Sequence, residues 1–348
     1  MASDRAIAAE LEQVLRELTG VPEITLASEP QRMLGGFDTD TYAFSLKNAS
    51  DALSGELILR HYRQPNETHR VLAETAIQNL ASRAGHAVPE VPIDSVGATI
   101  AGRPFIVMRR LPGATLLDVL SEDPMNALEP AARLMGRTQA RLHNLDATGA
   151  VRSLELTGLD AGTYTPFKLL DDIHRLVEAT QDKALGQLGN WLDEHRPESP
   201  GDLSVCHGDF HPANILVEDL KLTGVIDWGN YSFGHSEYDV AVTQFIVSIG
   251  PLEDSPVPLE QLRAMLDAFL DMYKGEYLAH RPINEELVGY YIVLRAGHAL
   301  AKVVAARYGS DVRGTAHDGY SWARPLVYEH VRELVRDRTG VDAGPLEA

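Results

Sequence analysis

Thiol chemistry is almost missing from this chain, which has one cysteine, Cys206, in 348 residues. No intramolecular disulfide can form, so the fold must be held by packing, and a reducing, cytoplasmic compartment is the natural expectation. Nothing marks Cys206 as an activated thiolate, and it reads as a small buried hydrophobe. Positive charge is also scarce: Lys and Arg total 31 against 50 Asp and Glu, a net charge of −19. Phosphate backbones and anionic membranes require clustered cations, so nucleic acid and membrane are poor partners, whereas a cationic small molecule is compatible. No apolar run reads as long enough to span a bilayer. Asp4, Glu10 and Glu12 interrupt the N-terminal segment, so no signal peptide is expected in it. Ile7, Leu11, Val14, Leu15 and Leu18 instead recur at helical spacing and Gly20 ends the run, so a leading helix is expected over 4–19.

What is present is ordinary for a globular chain: 44% hydrophobic and 23% charged residues, with a length that suggests about two domains. Residues 21–110 read as strands around one helix. Thr41–Leu46 and Glu56–Tyr62 are rich in β-formers and separated by turn residues, which predicts a hairpin. Leu72, Ala76 and Leu80 repeat every fourth residue, predicting a helix over 68–83, and Pro104–Met108 reads as a buried strand. Beyond residue 113 helices dominate, with amphipathic stretches near 128–143, 166–195, 259–276 and 284–308. The last ten residues are polar with Gly and Pro, and fraying is expected there.

The stretch that carries chemistry is His207-Gly208-Asp209-Phe210-His211-Pro212-Ala213-Asn214. Two short apolar runs follow, Ile215-Leu216-Val217 and Val225-Ile226, joined by a polar connector and ending on Asp227-Trp228. A hairpin here would bring Asn214 at its entry beside Asp227 at its exit, so that two oxygens could share one cation. Magnesium prefers hard oxygen ligands and usually takes one or two from the protein. With Asp209 to take or orient a hydroxyl proton, this is the set that phosphoryl transfer from a nucleotide needs.

At these residues the chain resembles the aminoglycoside phosphotransferase and choline kinase family of small-molecule kinases. The resemblance implies an α+β, bilobal protein-kinase-like fold, with a small antiparallel-sheet lobe over 1–110 and a mostly helical lobe over 111–348. It implies Asp209 as catalytic base, Asn214 and Asp227 as magnesium ligands, and ATP or another nucleoside triphosphate as donor. Gly35 and Gly36 would cover the phosphates. Arg60 would stand where the family usually has a lysine or arginine, pairing the phosphates and Glu74. Backbone groups from Met108 to Leu111 would receive the adenine edge, while Arg109 and Arg110 read as surface charges. Gly234-His235-Ser236-Glu237-Tyr238-Asp239 matches a further block in which Asp239 braces the catalytic loop, although His235-Ser236 replaces the usual Asp-Pro.

The expected activity is therefore a kinase of a small hydroxylated metabolite or antibiotic. A protein kinase is disfavoured, because only eleven residues separate Asp227 from Asp239, too few for a peptide platform. A non-catalytic, pseudokinase-like nucleotide binder is the alternative, though it would be expected to lack one of the three key side chains. For the acceptor, Asp171, Asp172 and Glu237 could meet amino groups. Trp228, Tyr231 and Phe233 read first as packing residues and second as a surface for a quaternary ammonium. His211 could touch substrate or close a turn.

Overall fold

The computed structural model describes residues 4–33, 39–198, 203–250, 257–308 and 321–346, with Leu252 and Ser255. It divides into two compact units: Met1–Leu116, Thr148–Ala161 and Asn214–Gly229 form the first, and Leu117–Ala147, Gly162–Ala213 and Asn230–Ala348 the second.

The first unit begins with helix α1 (Asp4–Thr19), followed by strands β1 (Thr25–Leu26), β2 (Gln31–Met33), β3 (Thr39–Lys47) and β4 (Glu56–Tyr62). Helix α2 (Thr68–Arg83) and strands β5 (Ile93–Asp94) and β6 (Phe105–Arg109) complete an antiparallel sheet of order β1-β3-β4-β6-β5, with β2 also on β3. The expected hairpin is β3–β4, in register from Thr39 opposite Tyr62 to Ser45 opposite Glu56. Successive side chains of a strand leave on opposite faces. Leu57 and Leu59 therefore join Leu11, Leu15, Phe105 and Val107 in one cluster. Ile58 and Tyr62 join Val71 of α2, Ile106 and Met108 in the other. Each large aliphatic side chain so buried contributes roughly 1.5–3 kcal/mol. Arg60 shares the parity of Ile58 and Tyr62, which aims it at α2.

Strands β7 (Ala114–Thr115), β9 (Ile215–Glu218) and β10 (Lys221–Val225) form a small sheet of order β10-β9-β7. The pairing of Ala114 with Val217 ties this hairpin to the first unit, and the Val225 amide donates to Ala87 O at 2.7 Å. The β9–β10 turn is shorter than the seven-residue connector suggested: Asp219 and Leu220 alone make it, both at positive φ (49° and 58°), the conformation of a type I′ turn.

Helices of the second unit are α3 (Leu116–Glu122, which begins at the boundary residue), α4 (Pro124–Leu142), α6 (Lys168–Thr180), α7 (Lys183–Glu194), α8 (Ser236–Ile249), α9 (Leu259–Leu278), α10 (Glu285–Arg307) and α11 (Pro325–Thr339). Helix α5 (Ala147–Glu155) runs mainly through the first unit. Strands β8 (Ser204–Cys206) and β11 (Ser232–Gly234) pair antiparallel. The stretch 166–195 is split into α6 and α7 by Gln181, which takes a left-handed conformation at φ 54°. Helix α10 corrects one sequence expectation. It is long and apolar enough to cross a membrane, but 78% of its apolar window is buried inside the protein, as befits a core helix. Up to residue 346, the last one described, the expected fraying of the C-terminal residues is also corrected. Arg332 holds Asp342 at 2.6 Å, Tyr328 donates to Gly344 O at 2.9 Å, and Val341 is buried.

On the α6–α10 seam, His298 Nε2 lies 2.6 Å from Asp172 Oδ2. Burial pushes the His298 pKa down to about 4. Burial alone would raise Asp172, but the bond from His298 and the charges around it hold it near about 2. A histidine with a depressed folded pKa binds its proton more readily in the unfolded chain. Stability is therefore lost as pH falls from the unfolded value of about 6.5 toward 4, by at most about 1.4 kcal/mol per pH unit. Urea unfolding at pH 7, 6 and 5 should show a shallower loss for His298→Gln than for the parent. Parallel curves would remove His298 as the cause.

Candidate active site

The catalytic-loop motif begins at the end of β8. Gly208 has φ 75°, and a Cβ there would lie 2.1 Å from Asn230 O, so only glycine fits. The turn is held from α8. Asp239 accepts from the His207 amide at 3.0 Å and from the Gly208 amide at 2.7 Å. Its third donor is Nε2 of His143, which caps the C-terminal end of α4, at 3.0 Å, and His143 Nδ1 lies 2.7 Å from the Tyr277 hydroxyl. Because the carboxylate can only accept, the His143 ring carries a proton on Nε2. Burial would raise the Asp239 pKa, but the bond from His143 and the charges of His143 and His207 carry it below the usual carboxylate value. Thr243, one turn beyond Asp239, donates to Phe210 O at 2.8 Å, and Gln139 donates to Thr243 Oγ1 at 3.0 Å.

Asp209 is presented by this braced loop, with its side chain 23% exposed and Oδ1 3.6 Å from His211 Nε2. Burial again works to raise its pKa, and the neighbouring His211, with smaller contributions from His207 and Arg295, brings it below the ordinary value. The group is an ionised acceptor at neutral pH. His211 thus lies beside Asp209 in the same loop.

Asn214 and Asp227 stand at the two ends of the β9–β10 hairpin, in the first unit. The Ile226 amide donates to Asn214 O at 2.9 Å, which sets the two residues side by side as the sequence suggested. Asp227 has φ 64°, a conformation that a non-glycine residue adopts at a cost of about 1–3 kcal/mol and keeps only under external constraint. One constraint is Arg60, whose Nη2 donates to Asp227 Oδ1 at 3.0 Å. The other edge of the same guanidinium binds Glu74. Glu74 is nearly fully buried, and it also accepts from the Tyr62 hydroxyl at 2.5 Å and from Gln78 at 3.2 Å. Burial disfavours the Arg60 cation, but the carboxylates of Glu74 and Asp227 outweigh it and hold the pKa above the usual guanidinium value. The planar fork lets one arginine serve two carboxylates, which a lysine could not do in the same geometry.

The remaining expected positions are less informative. Gly35 and Gly36 lie outside the described residues. Met108 is buried in the α2-side cluster, and Leu111 packs on Gly224. The Arg109 and Arg110 amides already donate to Glu90 O and Glu56 O, so a base would have to use other groups of this segment. Both side chains form surface ion pairs, with Glu90 and Glu56. Cys206 is fully buried, and burial pushes its thiol pKa well up, in keeping with an inert role. Trp228, Tyr231 and Phe233 are buried and offer no open face to a quaternary ammonium. Asp172 is engaged by His298 and Arg175, and Glu237 accepts from the Asn284 amide at 3.0 Å, so neither is a ready receptor for amino groups. Asp171 is exposed.

Sequence reasoning missed Gln139 and His143. A signal existed: they are polar residues four apart on the otherwise apolar face of α4, where a buried polar group needs a dedicated partner.

Residues 30–283 match the model of the phosphotransferase enzyme family. The chain belongs to that family. Enzymes of the expected class, small-molecule kinases, are among its relatives. An aminoglycoside 3'-phosphotransferase of Streptomyces ribosidificus is 29% identical over 217 residues, 61% of this chain and 75% of the relative. An acyl-CoA dehydrogenase family member 11 of Gallus gallus is 29% identical over 187 residues, 52% of this chain and 23% of the relative. The chain thus spans only about a quarter of the length of such curated relatives. A thermostable aminoglycoside phosphotransferase variant, solved with ADP and hygromycin B, superposes with a TM-score of 0.60 at 16% identity, covering 94% of this chain and 98% of that one. That likeness establishes the α+β, protein-kinase-like fold.

Proposed function

We propose that this phosphotransferase moves the terminal phosphoryl group of ATP, or of another nucleoside triphosphate, to a hydroxyl of a small molecule. The observation that carries the reading is the hairpin that sets Asn214 beside Asp227, with Arg60 joining Asp227 to Glu74. The donor set fits magnesium. Among the described residues no cluster of three His, Cys, Asp or Glu side chains could hold a metal ion, which argues against a closed protein cage. One carboxylate and one amide oxygen, the rest of the shell left to water and phosphate, is the arrangement magnesium uses. When bound it would neutralise the charge of the phosphates.

In this reading Asn214 and Asp227 hold the metal, and Arg60 lends its charge to the phosphates while Glu74 fixes its orientation. Gly35 and Gly36 cover the phosphates, and the segment from Met108 to Leu111 receives the base. Asp209 accepts the proton of the acceptor hydroxyl. The work of the protein is positioning and charge neutralisation, with little covalent chemistry. The relative solved with ADP and hygromycin B supports nucleotide use and a small-molecule acceptor.

The test is ADP release from Mg-ATP across a panel of hydroxylated compounds. It should include aminoglycosides, macrolides and sugars, and also hydroxylated acyl thioesters, since acyl-CoA dehydrogenase family members are among the relatives. Turnover with one class names the acceptor; ATP binding with no turnover on any would favour the non-catalytic alternative. In the same assay, Asp227→Ala is expected to weaken magnesium-dependent ADP binding by 10-fold or more, an order-of-magnitude figure for losing a metal ligand. Superimposable magnesium titrations would remove Asp227 from the metal site.

A further inference from the structure

Gly229 lies two residues after Asp227, and its backbone does not need glycine, since its φ is not among the positive values. Space explains it better. A Cβ at 229 would sit 3.3 Å from Arg70 Nη2, 3.7 Å from Asp227 Oδ1 and 3.8 Å from Glu74 Oε2. A guanidinium and two carboxylates therefore border the volume that a side chain would take. Arg70 comes from the first turn of α2, one helical turn before Glu74. Its other nitrogen, Nη1, donates to Glu67 Oε1 at 2.6 Å, and its guanidinium lies over the Tyr62 ring, 5.7 Å from the centroid. Tyr62 in turn donates to Glu74. The arginine is thus held from two sides with its third edge against the turn that follows Asp227. That turn contains the left-handed Asp227, which needs constraint from its surroundings. Arg60 grips the Asp227 side chain, but nothing in that bond fixes the backbone after it.

We propose that Arg70 is a positioning residue for Asp227: seated against Gly229 and fixed by Glu67 and Tyr62, it holds the Asp227–Gly229 turn in the conformation that presents the Asp227 carboxylate to a divalent cation. The inference rests on Asp227 being a metal ligand. It gives Gly229 a reason to be glycine, and it couples the start of α2 to the metal site through a second arginine besides Arg60. A neighbour that orients a metal ligand commonly contributes 10- to 100-fold in metal affinity, roughly the range expected here.

The experiment is a double-mutant cycle of Arg70→Gln and Gly229→Ala, read as magnesium-dependent ADP affinity by calorimetry, with thermal unfolding in EDTA as the control for folding. Gly229→Ala adds one methyl group and requires only that the arginine tip retreat by a few tenths of an ångström, so it tests the contact even if Arg70→Gln folds poorly. Each single variant should weaken binding by about 10-fold. The double variant should be no worse than the single ones, because the added methyl group meets only the guanidinium that Arg70→Gln has already taken away. Arg70→Lys keeps the charge but loses the fork, and it should fail to restore affinity; full rescue by lysine would mean that charge alone acts and would overturn the positioning role. An unaffected Gly229→Ala, or additive losses, would overturn it too. Should Asp227→Ala leave magnesium-dependent binding intact, the metal-site reading itself fails. Should Asp227→Ala weaken binding while the Arg70 and Gly229 variants do not, only the present inference fails.

Discussion

Replacing Asp209 by alanine should lower turnover by about 10²- to 10⁴-fold while nucleotide binding persists. The reason lies in the state of the carboxyl. Its pKa stands below the ordinary value because His211, His207 and Arg295 overcome the effect of burial. An ionised carboxylate on a braced turn can accept the hydroxyl proton as the oxygen attacks, and can orient that hydroxyl beforehand. Asp209→Asn keeps the shape and loses the basicity, so it should share most of the defect. Steady-state ADP release with a competent acceptor, beside calorimetric Mg-ADP binding, separates the two effects. Turnover equal to that of the parent in either variant would take Asp209 out of the chemistry.

The largest effect on stability is expected at Asp239. It is completely buried and serves two backbone amides and the His143 ring. Alanine there strands the buried donors that the carboxylate now serves. Removing one partner of a buried charged network typically costs about 3–5 kcal/mol. Urea unfolding of Asp239→Ala and His143→Ala should give losses that do not add in the double variant, since the two share one network. A loss below about 1 kcal/mol for Asp239→Ala would show that the loop has another support. Because the braced turn carries Asp209, partial loss of activity should accompany the loss of stability even under conditions where the variant is folded. This also bears on the unusual His235-Ser236 pair that precedes α8. His235 Nδ1 lies 2.8 Å from the Tyr291 hydroxyl and Ser236 lies 3.3 Å from Arg281 Nε, so these residues anchor the helix start from outside the turn. The bonds from Asp239 to the turn are intact beside them.

The elements were legible where the pattern is local. The run of β-formers in Glu56–Tyr62, the fourfold repeat in Thr68–Arg83 and the spacing in Asp4–Thr19 each correspond to an observed element with the same bounds. The placing of Asn214 beside Asp227 was legible for a related reason: a hairpin brings its two ends together through chain connectivity alone. The misses have physical causes as well. The apolar helix α10 carries Arg295 and Lys302, which break the run when read along the chain but not when its mean hydropathy is taken over a buried window. The C-terminal residues looked polar and loose, yet Arg307, Tyr328 and Arg332, distant in sequence, bind them.

By itself the sequence determined the residue types of the site, the strand parity that aims Arg60 at the helix bearing Glu74, and the hairpin that returns Asp227 to Asn214. All of these follow from covalent spacing and backbone geometry. Only the tertiary structure decided which partners those side chains keep: Arg60 shared between Glu74 and Asp227, Arg70 against Gly229, and Asp239 held by His143 from a helix 96 residues away in the chain. Such contacts depend on how separate elements pack, and the energy of a buried charge depends on partners that no local pattern contains.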